Sequence, residues 1–112
     1  MKLVIIESPY AGDVERNLRY LRACMADCFR RGEAPFASHG LYTQPGVLDD
    51  ADPEHRAVGI AAGLCWAERA DLTAVYVDLG VSAGMLEGME AAGAEGRPIK
   101  IRRLPDWEAL AD

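Results

Sequence analysis

Apolar residues along this chain fall into two kinds of run. Leu3-Val4-Ile5-Ile6 and Leu72-Thr73-Ala74-Val75-Tyr76-Val77 are short stretches without polar alternation, the pattern of strands buried on both faces of a parallel sheet. Elsewhere the apolar positions recur at helical spacing. Val14, Leu18, Leu21, Met25, Cys28 and Phe29 predict a helix of about five turns, with Arg16, Arg19, Arg22, Asp27 and Arg30 on its other faces and Gly32 ending it. A second helix starts at Asp52-Pro53, an N-cap and first helical residue, and runs through Trp66. Its middle (Val58, Ile60, Ala61, Ala62, Leu64, Cys65) is apolar nearly all round, so burial on more than one side is expected, the second side against another subunit. A third helix follows Ser82, carrying Met85, Leu86 and Met89.

The remaining pattern is weaker. Ala34-Pro35-Phe36-Ala37 reads as a strand start or edge strand, and Ile99-Lys100-Ile101-Arg102 as an alternating edge strand. The tail from Pro105 to Asp112 has room for a helical turn or two around Trp107 and Leu110. Residues 38–52 show no period and form a long connection, of the kind that carries function in a small domain. Strands alternating with helices predict an α/β fold on a small parallel sheet of four or five strands, with residues 1–112 as one domain.

Charge and composition narrow the partners. A formal net charge of −6 argues against nucleic acid or an anionic membrane, while leaving room for a small phosphorylated ligand. No apolar run is long enough to span a bilayer and Met1-Lys2 leads straight into a strand, so a cytoplasmic protein is expected. Three cysteines fit reduced thiols. Cys24 and Cys28 share a helix face, but nothing follows at ligand spacing; buried thiols, no metal and no cofactor are expected. Trp66 and Trp107 read as packing residues.

Two turns carry the candidate chemistry. Each follows a buried strand and opens a helix, presenting free backbone N–H groups at the sheet's carboxyl edge. Ser8, Tyr10, Gly12 and Asp13 form the first, with Arg16 in reach; Asp78, Gly80, Ser82 and Gly84 form the second, with Met85 behind them. Serine and glycine at a helix start suit an anion, and aspartate at a strand end suits sugar hydroxyls. The plainer reading is that Ser82 and Asp13 cap helices while the glycines turn the chain. In the long loop, His39, Tyr42 and Thr43 are candidate ligand contacts, His39 also a general acid. Glu7 and Asp78 end buried strands and are expected to share one pocket, where mutual repulsion would raise one pKa, with Tyr10 or His39 moving protons. Against that, Asp78 could simply bond its own turn.

The strand ending in Ser8-Pro9-Tyr10-Ala11-Gly12, the helix with Arg and Asn, and the Asp78-x-Gly80-x-Ser82-x-Gly84 turn resemble the nucleoside 2-deoxyribosyltransferase-like superfamily. That group includes the deoxynucleoside 5′-monophosphate N-glycosidases, and the 7–13, 34–50 and 78–85 segments are most similar to one of its small uncharacterised phage and bacterial families. The resemblance implies a three-layer flavodoxin/Rossmann-like domain, a homodimer or larger whose neighbouring subunit completes the pocket, and hydrolase or transferase chemistry at an N-glycosidic bond. It also implies that Ser82 holds a phosphate and that Tyr10 lines the nucleoside site. Two positions depart from the pattern. The nucleophilic glutamate of the glycosidases falls on Gly88, and a second carboxylate falls near Gly63. Glu87 is one residue early, a swing of roughly 100° on a helix. The expected function is therefore binding of a nucleoside monophosphate or related phospho-sugar, with cleavage if Glu7, Asp13, Asp78 or Glu87 has taken over. The alternative is a nucleotide-sensing domain that lost its carboxylates.

Overall fold

A computed structural model describes residues 1–110. Its elements are β1 (Lys2–Glu7), α1 (Val14–Arg30), β2 (Glu33–Phe36), α2 (Ser38–Leu41), α3 (Pro53–Ala67), β3 (Leu72–Tyr76), α4 (Ala83–Ala94), β4 (Ile99–Arg102) and α5 (Trp107–Leu110). The four strands make one parallel sheet in the order β2-β1-β3-β4, so β1 and β3 are its central pair. Parallel neighbours need a crossover, and α1, α3 and α4 provide them. Pro35 sits in β2 and Ile101 in β4, both edge strands, as their sequences predict.

Alternation along the strands sorts residues onto two faces. Val4, Ile6, Leu72, Ala74 and Tyr76 pack with Tyr20, Leu21, Cys24 and Cys28 of α1 and with Trp107 of α5. This face also holds a buried ion pair: Arg102 donates to both Glu33 oxygens at 2.7 Å, tying β4 to β2 beneath α1. Such a two-pronged, charge-assisted contact is directional as well as strong. Gly32, at φ 75°, takes the left-handed turn that ends α1.

The other face, bearing Ile5, Glu7, Thr73 and Val75, is covered less completely. β3 is buried throughout, but Leu3 in β1 is half exposed, so only one of the two expected fully buried strands is so. The reason is α3. Only Ala67 of this helix is buried, and its packing within the chain is mainly against α2. Burial on more than one side, expected from its composition, is therefore absent within this chain, and Val58, Ile60, Leu64 and Trp66 are left exposed. α2, a single turn inside the long connection, has no counterpart in the sequence pattern. The expected tail helix is present as α5; the side chain of Leu110 and residues Ala111 and Asp112 lie outside the described residues. No described helix is long and apolar enough to cross a membrane.

Candidate active site

Where the sheet's second face is left uncovered, a cavity of about 400 Å³ opens between the carboxyl end of β1, α2, α3 and the start of α4. Its position, at the carboxyl edge of a parallel sheet, is the one this architecture favours for ligands. Glu7, Ser8, Tyr10, His39, Tyr42, Thr43, Ser82, Gly84 and Met85 of the sequence-predicted site all line it.

Glu7 is the last residue of β1 and points onto the α4 face of the sheet. Its carboxylate rests directly against Gly88: a Cβ at that glycine would overlap all three carboxylate atoms. Glu7 thus fills the space that the missing side chain of residue 88 leaves. The same happens at Gly63 in α3, where an added Cβ would lie 2.8 Å from the Ser38 hydroxyl and 2.9 Å from its Cβ. Both glycines that stand where the resemblance places carboxylates are occupied by a side chain from another element. Every fully buried side-chain nitrogen or oxygen among the described residues has a hydrogen-bond partner. The Glu7 carboxylate has none among the described residues, so its oxygens are not fully buried, and Glu7 lines the cavity. Burial pushes the Glu7 carboxyl up to about 7, against the opposing pull of the Arg97 charge.

Next to Glu7, the Ser8 hydroxyl lies 2.8 Å from His39 Nε2. Burial holds His39 down at about 4, so its ring is neutral at physiological pH. Its Nδ1, like the Glu7 oxygens, has no partner among the described residues and is accessible. The His39 carbonyl accepts from the Thr43 hydroxyl at 2.6 Å, which fixes the turn carrying the imidazole. Beside it Phe36 stacks on Trp66, and the Tyr42 hydroxyl accepts from Trp66 Nε1 at 2.9 Å, leaving its own proton to donate. Tyr10 is placed by Asn17, whose Nδ2 donates to the Tyr10 and Ala11 carbonyls at 2.8 and 3.2 Å. A buried asparagine in the first turns of α1 was the available signal for this brace.

On the α4 side, Ser82 caps the helix: its hydroxyl accepts from the Met85 N–H at 3.3 Å and retains a proton to donate. A Cβ at Gly84 would meet only the Ser82 hydroxyl, at 4.0 Å, so the first turn of α4 is approachable from the cavity. Glu87 also lines the cavity. A shallower groove bounded by Tyr10, Gly12, residues 43–51 and His55 adjoins it.

Several expected site residues lie elsewhere. Asp78 does not share the pocket with Glu7. Its oxygens accept from the Tyr20 hydroxyl at 2.6 Å and from the Leu104 N–H at 2.8 and 3.0 Å, on the opposite, α1 side of the sheet. Asp13 caps α1 by accepting from the Arg16 N–H at 3.1 Å, and among the described residues the Arg16 side chain hydrogen-bonds Asn17, at 3.4 Å, and does not line the cavity. Gly80, at φ 90°, turns the chain between β3 and α4. Sequence reasoning missed Arg97, which lies on the cavity floor; nothing in its Gly-Arg-Pro setting marks it as a site residue. Among the described residues no three His, Cys, Asp or Glu side chains converge as metal ligands would.

The chain's family model match is to a domain of unknown function, DUF7768, over residues 2–102. Among curated proteins, none matches the chain. Among solved structures, the chain is similar to the 2-deoxyribosyltransferase of Bacillus psychrosaccharolyticus, with a TM-score of 0.71 at 15% identity, covering 98% of this chain and 90% of that one. It is also similar to the CMP N-glycosidase of Clostridium botulinum, with a TM-score of 0.52 at 16% identity, covering 94% and 71%. At these identities the likeness establishes the shared fold.

Proposed function

This chain belongs to the DUF7768 family, and we propose that it acts at the N-glycosidic bond of a nucleoside or nucleoside monophosphate, with Glu7 as the reacting carboxylate. The observation that supports this reading is the Glu7 carboxylate lying where a Cβ at Gly88 would be. In this reading a carboxylate delivered from β1 serves beside α4, where the resemblance puts a residue-88 glutamate. The two structural neighbours, a deoxyribosyltransferase and a CMP N-glycosidase, supply the reaction class.

In this reading an ionised Glu7 oxygen attacks the anomeric carbon as the C–N bond breaks, and the bonding pair leaves with the base. The departing base takes its proton from the Tyr10 hydroxyl or the Ser8–His39 pair. Water then opens the glycosyl ester, or a second base does so in a transferase. In this reading Ser82 and the N–H groups at the start of α4 hold the phosphate. Tyr42 and Thr43 extend the wall towards the outer groove, where Gly12 lies. A second copy of the chain covers the exposed face of α3, and Ile60 and Leu64 carry that face to the cavity edge.

Chromatography of base release from nucleosides and deoxynucleoside monophosphates tests the proposal. Glu7→Gln should abolish release, and Glu7→Ala combined with Gly88→Glu should restore part of it. The rival reading, a nucleotide-binding module, draws on the two glycines at family carboxylate positions. It would prevail if nucleotides raised the melting temperature while wild-type protein released no base from any of them.

A further inference from the structure

Arg97 is the most deeply buried cation facing this cavity, with its side chain 4% exposed. Burying a guanidinium is costly unless its donors are satisfied. Nε donates to Thr73 Oγ1 at 2.9 Å, and Nη1 donates to the Ala67 carbonyl at 2.6 Å and to Glu95 at 2.8 Å. Nη2 has no partner among the described residues and, since no fully buried nitrogen is unpaired, it is not fully enclosed; Arg97 itself lines the cavity. Three bonds clamp the group from β3, the end of α3 and the end of α4, so its position is fixed.

That position lies under Glu7. Thr73 pairs in register with Ile5, two residues before Glu7 on the neighbouring strand and on the same sheet face. Two strand residues are about 7 Å. From the helix side, Glu7 abuts Gly88 while the Arg97 N–H bonds the carbonyl of Ala92, one turn further along α4; one turn is about 5.4 Å. The Thr73 bond sets the guanidinium about one strand step beneath the carboxylate, and the backbone bond keeps Arg97 one helical turn from the Gly88 contact; Glu7 and Arg97 form no ion pair among the described residues.

We propose that Arg97 is a positioning residue for Glu7: a fixed positive charge on the cavity floor that favours the ionised, nucleophilic carboxylate. Its functional meaning rests on Glu7 being the reacting group, as proposed above. Besides the Tyr10 and Tyr42 hydroxyls, the other ionisable groups around the cavity are His39 from α2, Asp50 from the loop, His55 and Arg56 from α3, and Glu87 from α4. His39 is neutral, and the remaining four sit at the mouth, where water screens them. Arg97 is the charge that acts on Glu7 from within the protein. Without it, burial alone would leave the carboxyl protonated further into the alkaline range.

The test is a carboxyl titration that needs no turnover. With 13C-labelled glutamate, and Glu7→Gln to assign the signal, the Glu7 midpoint is followed in wild type, Arg97→Lys and Arg97→Gln. Arg97→Gln should raise the midpoint by about one pH unit, the scale of a unit charge at this separation. Arg97→Lys, which keeps the charge, should leave it within a few tenths although it too loses bonds and stability. A clamp without electrostatic effect would destabilise both variants and move neither midpoint, which overturns the proposal. Should Arg97→Gln fail to fold, the wild-type Arg97 Nε–H resonance serves instead. It should titrate with the Glu7 midpoint and stand still in Glu7→Gln; movement that persists in Glu7→Gln overturns the proposal. Because these readouts report charge coupling rather than base release, a protein with no glycosidase activity would still confirm or refute the Arg97 effect.

Discussion

Glu7 and Gly88 form one packing unit: the carboxylate of the first lies where a methyl group on the second would have to be. The side chain comes from β1 and the space from α4, so a strand residue packs into the gap a helix glycine leaves. In the proposed reading this puts an acidic group beside α4 from a different element, with the burial that β1 gives it.

Gly88→Ala should therefore act through Glu7 more than through the helix. Alanine in a helix interior is favoured over glycine by up to about 1 kcal/mol, and the overlap falls on the mobile end of a glutamate. Urea unfolding should place this variant within about 1 kcal/mol of wild type, with base release lost as in Glu7→Gln. Gly93→Ala, on the same helix but with nothing within 4 Å of the new Cβ, should gain stability and keep activity. Full activity in Gly88→Ala would show that the Glu7 position is not used.

Two buried groups give stability opposite dependences on pH. Glu7 goes from 4.5 to about 7 on folding, so between those values the folded chain holds the extra proton and stability falls as pH rises. His39 goes from 6.5 to about 4, so the unfolded chain holds the extra proton and stability rises with pH in that window. Each effect is at most about 3 kcal/mol, and in wild type they largely offset. Relative to wild type, Glu7→Gln should gain stability as pH rises from 4.5 to 7, and His39→Gln should lose it as pH rises from 4 to 6.5. Parallel stability–pH curves for all three proteins would contradict both assignments.

The uncovered face of α3 predicts self-association. Val58 and Trp66 are each 57% exposed, and Ile60 and Leu64 continue the apolar surface to the cavity. A patch of that kind on a chain of this size is characteristic of an interface. Light scattering should give a dimer or larger species, and Val58→Glu should reduce it to the monomer with lower base release. A wild-type monomer at all practical concentrations refutes the assembly.

How much of this the sequence carried depended on whether a residue's role was local. Leu72 to Tyr76 announces a buried strand by itself, and Ser82 and Asp13 announce caps, because those roles are settled by near neighbours in the chain. Helix α2 was illegible: one turn inside a polar loop has no period to detect. The trade at Gly88 was half legible. The missing carboxylate could be seen, but its replacement required knowing that β1 runs beside β3 and under α4. Arg97 was illegible for the same reason, since its partners Ala67, Thr73 and Glu95 are joined only by folding. Asp78 was misplaced because a strand end allows two directions, and the sequence does not say which side of the sheet a terminal aspartate takes.

That two-way choice yields the sharpest contrast between variants. Asp78 accepts from Tyr20, a fully buried side chain that also meets Trp107 edge-on at 5.2 Å, and from the Leu104 N–H. It thereby holds the end of β3 to α1 and to the segment that leads into α5. Removing the carboxylate leaves a buried hydroxyl and an N–H unpaired, at about 1–3 kcal/mol each, so Asp78→Ala should melt well below wild type. Asp78→Asn keeps one accepting oxygen and should lose about half as much. Neither change touches the cavity, so base release per folded molecule should stay within a factor of about two, a change worth under about 0.5 kcal/mol. Glu7→Gln should show the reverse, with release gone and stability at about pH 8 higher, because an expensive buried charge has been removed. Glu87→Gln, whose helical phase differs from that of residue 88, should remain active. If Asp78→Asn instead kept its melting temperature and lost turnover, the aspartate would belong to the chemistry and its bonds to Tyr20 and Leu104 would have to open in the complex.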